Sequence, residues 1–239
     1  MKKNFLFDLD GTLLPMDLPK FIELYLTAFC KRFSQDLGLE PKTLKSGIWA
    51  GAGAMAENDG RCLNRELFWE AISAVCGRDM LVYEELFDDF YRTDFAAAKD
   101  SVCVNPCAAK CIELLKNSGN RIILATNPIF PKSATYTRLR WAGLEPEDFS
   151  RITVYDNSTF SKPKAGYYRE ICEQCGISPE NSIMVGNDVD EAMCAADQGF
   201  DVFLVTDCLI NRDKKDISGI KNGTLEDFYG WIKRNSESD

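Results

Sequence analysis

The chain has 239 residues, 45% of them apolar, with 28 Lys and Arg against 37 Asp and Glu and no histidine. That length accommodates one large domain or a core carrying a smaller insert, and a net charge of −9 creates a field that repels polyanions, so nucleic acid and anionic membrane are not expected as partners. Without an imidazole, any acid–base work falls to carboxylates, Lys, Tyr or Cys.

Met1-Lys2-Lys3-Asn4 leads into only about three strongly apolar residues before Asp8, too few for a signal-peptide core. No apolar run approaches the roughly 18 residues that cross a bilayer, and the expectation is a soluble cytoplasmic protein. Residues 4–7 read as a buried strand, and the stretch FLFDLDGTLL delivers Asp8 and Asp10 at its end, followed by Gly11. The hinge region is expected at 13–17. From about 17 to 96 the pattern is helical: Phe21, Ile22, Leu24, Tyr25, Ala28 and Phe29 recur at three and four residues, as do Leu67, Phe68, Ala71, Ile72 and Val75, and Leu86, Phe87, Phe90 and Tyr91. The small, apolar segment 47–54 suits tight helix packing or a loop. Short apolar runs then return at 121–125, 151–155, 182–185 and 201–205, alternating with helical stretches at 107–116, 134–142, 165–175 and 190–198. A last helix at 225–234 follows the cap candidate Thr224. Five strands with helical crossovers predict an α/β fold: a doubly wound parallel sheet formed by 1–16 and 97–239, with an inserted helical cap domain at 17–96.

Ten cysteines are scattered through apolar segments such as Ala28-Phe29-Cys30. Cys172-x-x-Cys175 and Cys107-x3-Cys111 have a metal-like spacing, but with no second CxxC and no histidine the expectation is reduced, mostly buried thiols.

In an open parallel sheet, ligands gather at the carboxyl ends of the strands. Asp8 and Asp10 lie at the end of the first, and period-two geometry sends both side chains to one side if the extension continues. Gly11 lets the backbone turn. Adjacent carboxylates repel and push one acid toward protonation, an imbalance that a hard divalent cation relieves. The second strand is followed by Thr126-Asn127, the third by Ser161-Lys162-Pro163 and the fourth by Gly186-Asn187-Asp188. Taken singly, Asp8 and Asp10 could satisfy turn amides, Thr126-Asn127-Pro128 is an ordinary turn, Lys162 a solvated charge and Asp188 a helix N-cap. Their order and strand-end placement favour phosphate chemistry on a metal.

Asp8-x-Asp10-Gly11-Thr12, the apolar strand ending in Thr126, Lys162-Pro163 and Gly186-Asn187-Asp188 resemble, in order, the four motifs of the haloacid dehalogenase superfamily. The similarity covers roughly 1–16 and 100–235, and the insert resembles a helical cap of the first type. The resemblance implies that Asp8 is a nucleophile forming an aspartyl phosphate, with Asp10 exchanging protons with the leaving group and the hydrolytic water. It implies Mg²⁺ held by Asp8, the Asp10 backbone carbonyl and Asp188, and an oxyanion site made by Thr126, Asn127 and Lys162. Because the dehalogenases of the superfamily lack an acid at the second position, Asp10 favours phosphoryl transfer over carbon–halogen cleavage. One departure is Ala192, where family members often carry a second acid; either Asp190 or Glu191 contacts a metal-bound water in its place, or that outer support is missing. Lys45, Trp49, Arg61 and Arg65 are candidate cap contacts, each with a surface or packing role as the competing reading. The implied function is a Mg²⁺-dependent phosphomonoesterase acting on a small phosphorylated metabolite. A phosphosugar mutase, a phosphonate hydrolase with a cap lysine, and a non-catalytic binder motivated by Ala192 are the alternatives, and the oligomeric state is left open.

Overall fold

The computed structural model describes residues 3–236; Met1 and Lys2, which enter the leader argument, lie outside them. Strand β1 (Asn4–Phe7) pairs in parallel with β2 (Arg121–Leu124) on one side and β4 (Ser182–Gly186) on the other, Phe7 standing opposite Leu124 and Val185. With β3 (Arg151–Ile152), β5 (Asp201–Val205) and β6 (Lys221–Gly223), the strands form one parallel sheet in the order β3-β2-β1-β4-β5-β6. The chain therefore builds outward from β1 to β3, returns to the middle, and builds the other way through β4. That reversal opens a crevice beyond the carboxyl ends of β1 and β4, where ligands of such sheets bind.

The alternation of β1 divides the core. Phe5 and Phe7 point to one face, toward α5 (Pro106–Asn117) and α9 (Leu225–Ser236), and Phe7 meets Phe228 edge-on at 5.6 Å between ring centroids. Leu6 points to the other face, where Tyr167, Tyr168 and Ile171 of α7 (Ala165–Cys175) cover it. Both faces of the sheet are dry, so its central strands read as continuous apolar runs. Further core helices are α6 (Lys132–Trp141) and α8 (Val189–Asp197).

Two features depart from the sequence-based expectation. A sixth strand, β6, is built from Lys221, Asn222 and Gly223, which carry no apolar signal; it exists because β5 presents an open edge. The third strand ends at Ile152 instead of 155. The Asn157 side chain takes over the backbone pairing there, accepting from Val154 N at 3.0 Å and donating to Ile152 O at 3.0 Å, and the chain turns through a short 3-10 helix at Tyr155–Asn157.

Between β1 and β2 the chain forms α1 (Leu18–Leu37), α2 (Pro41–Ala56), α3 (Asn64–Cys76), α4 (Glu84–Arg92) and a 3-10 helix at Asp94–Ser101. Asp17 caps α1 by accepting from Lys20 N at 3.1 Å. Segment 47–54 lies inside α2, where its glycines allow α3 to approach: a Cβ at Gly51 would stand 2.4 Å from the Phe68 ring. Phe29, Phe33, Phe87 and Phe90 interlock at the centre of the insert, with Phe33 and Phe87 4.4 Å apart. Among the described residues no helix is long and apolar enough to cross a membrane.

Candidate active site

Asp8 continues the pairing of β1 by one residue, donating its N–H to Val185 O at 2.8 Å, and its side chain is buried. Lys162 Nζ, fully buried, donates to Asp8 Oδ1 at 2.8 Å and meets Glu191 Oε2 at 2.9 Å. The Thr12 hydroxyl lies 3.2 Å from Asn187 Oδ1 and 3.5 Å from Asp8 Oδ2, with one proton for the two acceptors. Asn187 is oriented by its amide donating to Cys208 O at 2.7 Å. Gly11 makes this arrangement possible: its φ is +83°, and a Cβ there would stand 2.2 Å from Asn187 Nδ2.

Asp10 is turned toward α6. Its Oδ2 accepts from Arg138 Nη1, while its Oδ1 is buried with no hydrogen-bond partner. Arg138 is 1% exposed, and its guanidinium lies 4.3 Å from the centroid of the Phe130 ring, a cation over an aromatic face. Burial raises the Asp10 carboxyl above the ordinary range, Arg138 pulls it back, and the neighbouring Asp8 charge pushes it up again.

Around Lys162 the structure gathers the other strand-end residues. The Lys162–Pro163 peptide is cis, and Lys162 N donates to Asn127 Oδ1 at 3.2 Å. Thr126 is buried, and its carbonyl accepts from Thr153 Oγ1 at 2.6 Å and from the Tyr167 hydroxyl at 2.9 Å, which fixes the turn after β2. Asp188 is the N-cap of α8: Oδ1 accepts from Asp190 N at 2.9 Å and Glu191 N at 3.3 Å. Its Oδ2 meets Arg212 Nη1 at 2.7 Å, and that arginine side chain is 60% exposed. Both readings of Asp188 are thus accommodated, one oxygen for the helix and one for a cation.

Among the described residues no three acids or cysteines cluster closely enough to form a metal cage. Asp8, Asp10 and Asp188 are instead each paired with a cation: Lys162, Arg138 and Arg212. Mg²⁺ does not require a cage, since it is commonly bound by one or two carboxylates together with substrate phosphate and water. Asp8 Oδ2, touched only by Thr12 at 3.5 Å, and Asp188 Oδ2, held by an exposed arginine, are hard oxygen donors of that kind. The residues present fit the ion.

The structure separates the two candidates beside Ala192. Glu191 reaches Lys162, whereas Asp190 faces Lys215 at 2.5 Å and Arg212 at 3.7 Å. Ala192 is buried against Leu204. Of the cap candidates, Trp49 lines the cavity above the site; Lys45 and Arg61 are exposed, and Arg65 is held by Glu84 through its Nε at 2.6 Å. Arg138 and Arg212 were not read from the sequence. Their partners lie 128 and 24 positions away, and neither arginine belongs to a local pattern that marks it.

The buried Asp8 and the half-buried Glu191 share the Lys162 ammonium. Burial by itself would strip that proton, but Asp8 and Glu191 retain it well above the lysine range. Burial also drives the Glu191 carboxyl up to about 7, with Lys162 offsetting it in part and Asp8 adding to the rise. The folded state therefore binds this proton more tightly than the unfolded chain. The resulting stability is present in full below the ordinary carboxyl value and is lost as pH rises through about 7. Urea denaturation of the metal-free protein is expected to show stability falling from pH 5 to pH 8, and Glu191→Gln is expected to flatten that slope. An unchanged slope in the variant would assign the pH dependence to another group.

Residues 2–199 match the family model described as haloacid dehalogenase-like hydrolase. A phosphoglycolate phosphatase from Nitrosospira multiformis is 28% identical over 206 residues, which cover 85% of this chain and 82% of that protein. Among solved structures, a HAD phosphatase from Thermococcus onnurineus superposes with a TM-score of 0.60 at 20% identity, covering 97% of this chain and 98% of that one. The L-2-haloacid dehalogenase from Xanthobacter autotrophicus superposes with a TM-score of 0.57 at 17% identity, covering 98% and 99%. At these identities the two structures speak for the shared fold, and the family match, spanning most of the sequence with Asp8, Asp10, Lys162 and Asp188 inside it, shows that this chain belongs to the haloacid dehalogenase-like hydrolases.

Proposed function

We propose that this hydrolase is a Mg²⁺-dependent phosphomonoesterase working through an aspartyl phosphate on Asp8. The observation that carries the reading is Asp10, whose Oδ1 is buried without a partner beside a cavity while its Oδ2 is held by Arg138. A carboxyl held on one oxygen and unpaired on the other is placed to pass a proton, and burial moves its titration upward, in the direction that favours a proton donor.

In this mechanism the Asp8 carboxylate attacks phosphorus. The bond to the leaving oxygen breaks as Asp10 Oδ1 donates its proton. Lys162, the Thr126 hydroxyl and the Asn127 amide take the charge on the phosphoryl oxygens. Water then attacks the aspartyl phosphate, Asp10 accepts its proton, and inorganic phosphate leaves with Asp8 regenerated. Asp8, the Asp10 backbone carbonyl and Asp188 would hold Mg²⁺, which neutralises carboxylate and phosphoryl charge together. Arg138 is a positioning residue that fixes which Asp10 oxygen is free.

The insert is latched over this site by buried hydrogen bonds: Asn64 Nδ2 donates to Pro128 O at 3.0 Å, and Ser161 Oγ donates to Met55 O at 3.0 Å. Release of this latch is the step that admits substrate. Among the described residues no lysine lines the cavity, so the Schiff-base alternative finds no residue to carry it.

Phosphate release from a panel of phosphomonoesters, with Mg²⁺ and with EDTA, tests the reading. Turnover with Mg²⁺ and its loss in EDTA is the expected result. Release of halide from 2-haloacids with no phosphate release would reject it.

A further inference from the structure

A cavity of about 180 Å³ lies between the loop at 129–131 and helices α1 to α4, with Asp10 in its wall. Phe21, Tyr25, Ile48, Met55, Phe68 and Phe130 supply much of the remaining surface, and Trp49, 53% exposed, also lines it. Asp10 is the single charged residue of this lining, which contains no Lys, Arg, Asn, Gln, Ser or Thr. The remaining polar atoms belong to tyrosine and tryptophan. The Tyr25 and Tyr91 hydroxyls bond to each other at 3.0 Å, and because each carries one proton, that bond leaves one O–H over.

Asp10 stands in the cavity wall, so in the proposed reaction the leaving group that takes its proton lies on the cavity side. An anionic leaving group finds no counter-charge there, because Arg138 is engaged by Asp10 and buried over Phe130 and no other cation lines the cavity. A polyhydroxylated group finds only the hydroxyls of Tyr25, Tyr91 and Tyr155 and the Trp49 indole N–H among the lining side chains, with no amide or aliphatic hydroxyl, and unpaired polar groups buried against such a lining are strongly disfavoured. The volume slightly exceeds that of an apolar cavity of roughly 150 Å³, which accepts a benzene ring.

Resting on the phosphomonoesterase reading, we propose that the substrate is the monophosphate of a compact, uncharged, ring-sized and predominantly apolar alcohol. It is not a phosphorylated carboxylic acid or sugar. The named substrate of the Nitrosospira relative, phosphoglycolate, is disfavoured here because its carboxylate would face Asp10 and aromatic rings.

The test compares kcat/KM for methyl, propyl, cyclohexylmethyl and benzyl phosphate with glycerol 3-phosphate and 2-phosphoglycolate, all with alkoxide leaving groups, in the full-length protein with Mg²⁺. The expected result is a rise of about fourfold per buried methylene until the cavity fills. Benzyl phosphate should exceed phosphoglycolate and glycerol phosphate by at least about tenfold. Equal or greater activity on either polar substrate overturns the proposal. Ala52→Phe, which fills the cavity from α2, is expected to lower the ratio of benzyl to methyl phosphate activity at least about tenfold, and a retained ratio also overturns it. Calorimetric binding of benzylphosphonate against phosphonoacetate gives a readout free of turnover. If no monoester is hydrolysed but benzylphosphonate binds more tightly, the phosphomonoesterase reading fails while the apolar subsite stands. If phosphonoacetate binds as tightly or better, the subsite fails.

Discussion

Asp8→Asn is expected to fold and to lose at least about 10³-fold in kcat, because an amide oxygen does not form the covalent phosphoenzyme. The fold should survive because the amide still accepts from Lys162, and Glu191, 2.9 Å from the same ammonium, remains as its counter-charge. Removing the Asp8 charge also removes one of the forces that push the Glu191 carboxyl up, so the decline of stability between pH 5 and pH 8 should weaken in this variant. The two readouts separate chemistry from architecture. Single-turnover phosphate release measures the first, and urea denaturation in EDTA measures the second. Turnover within tenfold of the parent protein would show that Asp8 is not the nucleophile, whatever the stability result.

Lys162→Met is expected to be the most damaging substitution to stability, and to lower activity as well. Methionine fills a similar volume but leaves Asp8 and Glu191 together without their shared ammonium. Breaking a buried pair in this way costs about 3–5 kcal/mol. The loss should be larger at pH 8 than at pH 5, where the Glu191 site takes up a proton. The double variant with Glu191→Gln should recover part of it. Activity should fall at least about 10²-fold even in the folded fraction, since a charge directed at the phosphoryl oxygens is gone. A destabilisation under about 1 kcal/mol at pH 8, the worth of a solvent-exposed pair, would mean that Lys162 does not compensate the acids.

The three cation–carboxylate pairs share a logic. Each acid of the site rests on a basic side chain, and those partners differ in freedom. Lys162 and Arg138 are enclosed, so they hold Asp8 and Asp10 in place. Arg212 is largely solvent-exposed, so Asp188 is the least firmly held of the three acids. This ordering follows from burial, because moving an exposed arginine costs little more than a weak surface pair.

Four of the six strands announced themselves as apolar runs of near-correct length, since a strand covered on both faces admits few polar residues. The short third strand was placed correctly at its start, but its end was hidden because Asn157 replaces ladder hydrogen bonds with its own side chain. Edge strand β6 was invisible, because pairing along an open edge requires backbone and not side-chain character. Asp8, Thr126, Lys162 and Asp188 were legible as strand-end residues, since parallel topology sends those ends to one side. Within the helical insert, periodicity marked which residues are buried but not which helix each would meet.

Local pattern thus specified the alternating architecture, the position of the inserted helices and the acidic strand end, because each depends on residues a few positions apart. Tertiary structure decided that Asp10 leans on Arg138, that Glu191 and not Asp190 joins Lys162, and that the space beside Asp10 is aromatic and free of cations. These outcomes depend on side chains brought together across as many as 128 positions, and the direction in which a helix presents a side chain is set by packing that no short stretch of sequence encodes.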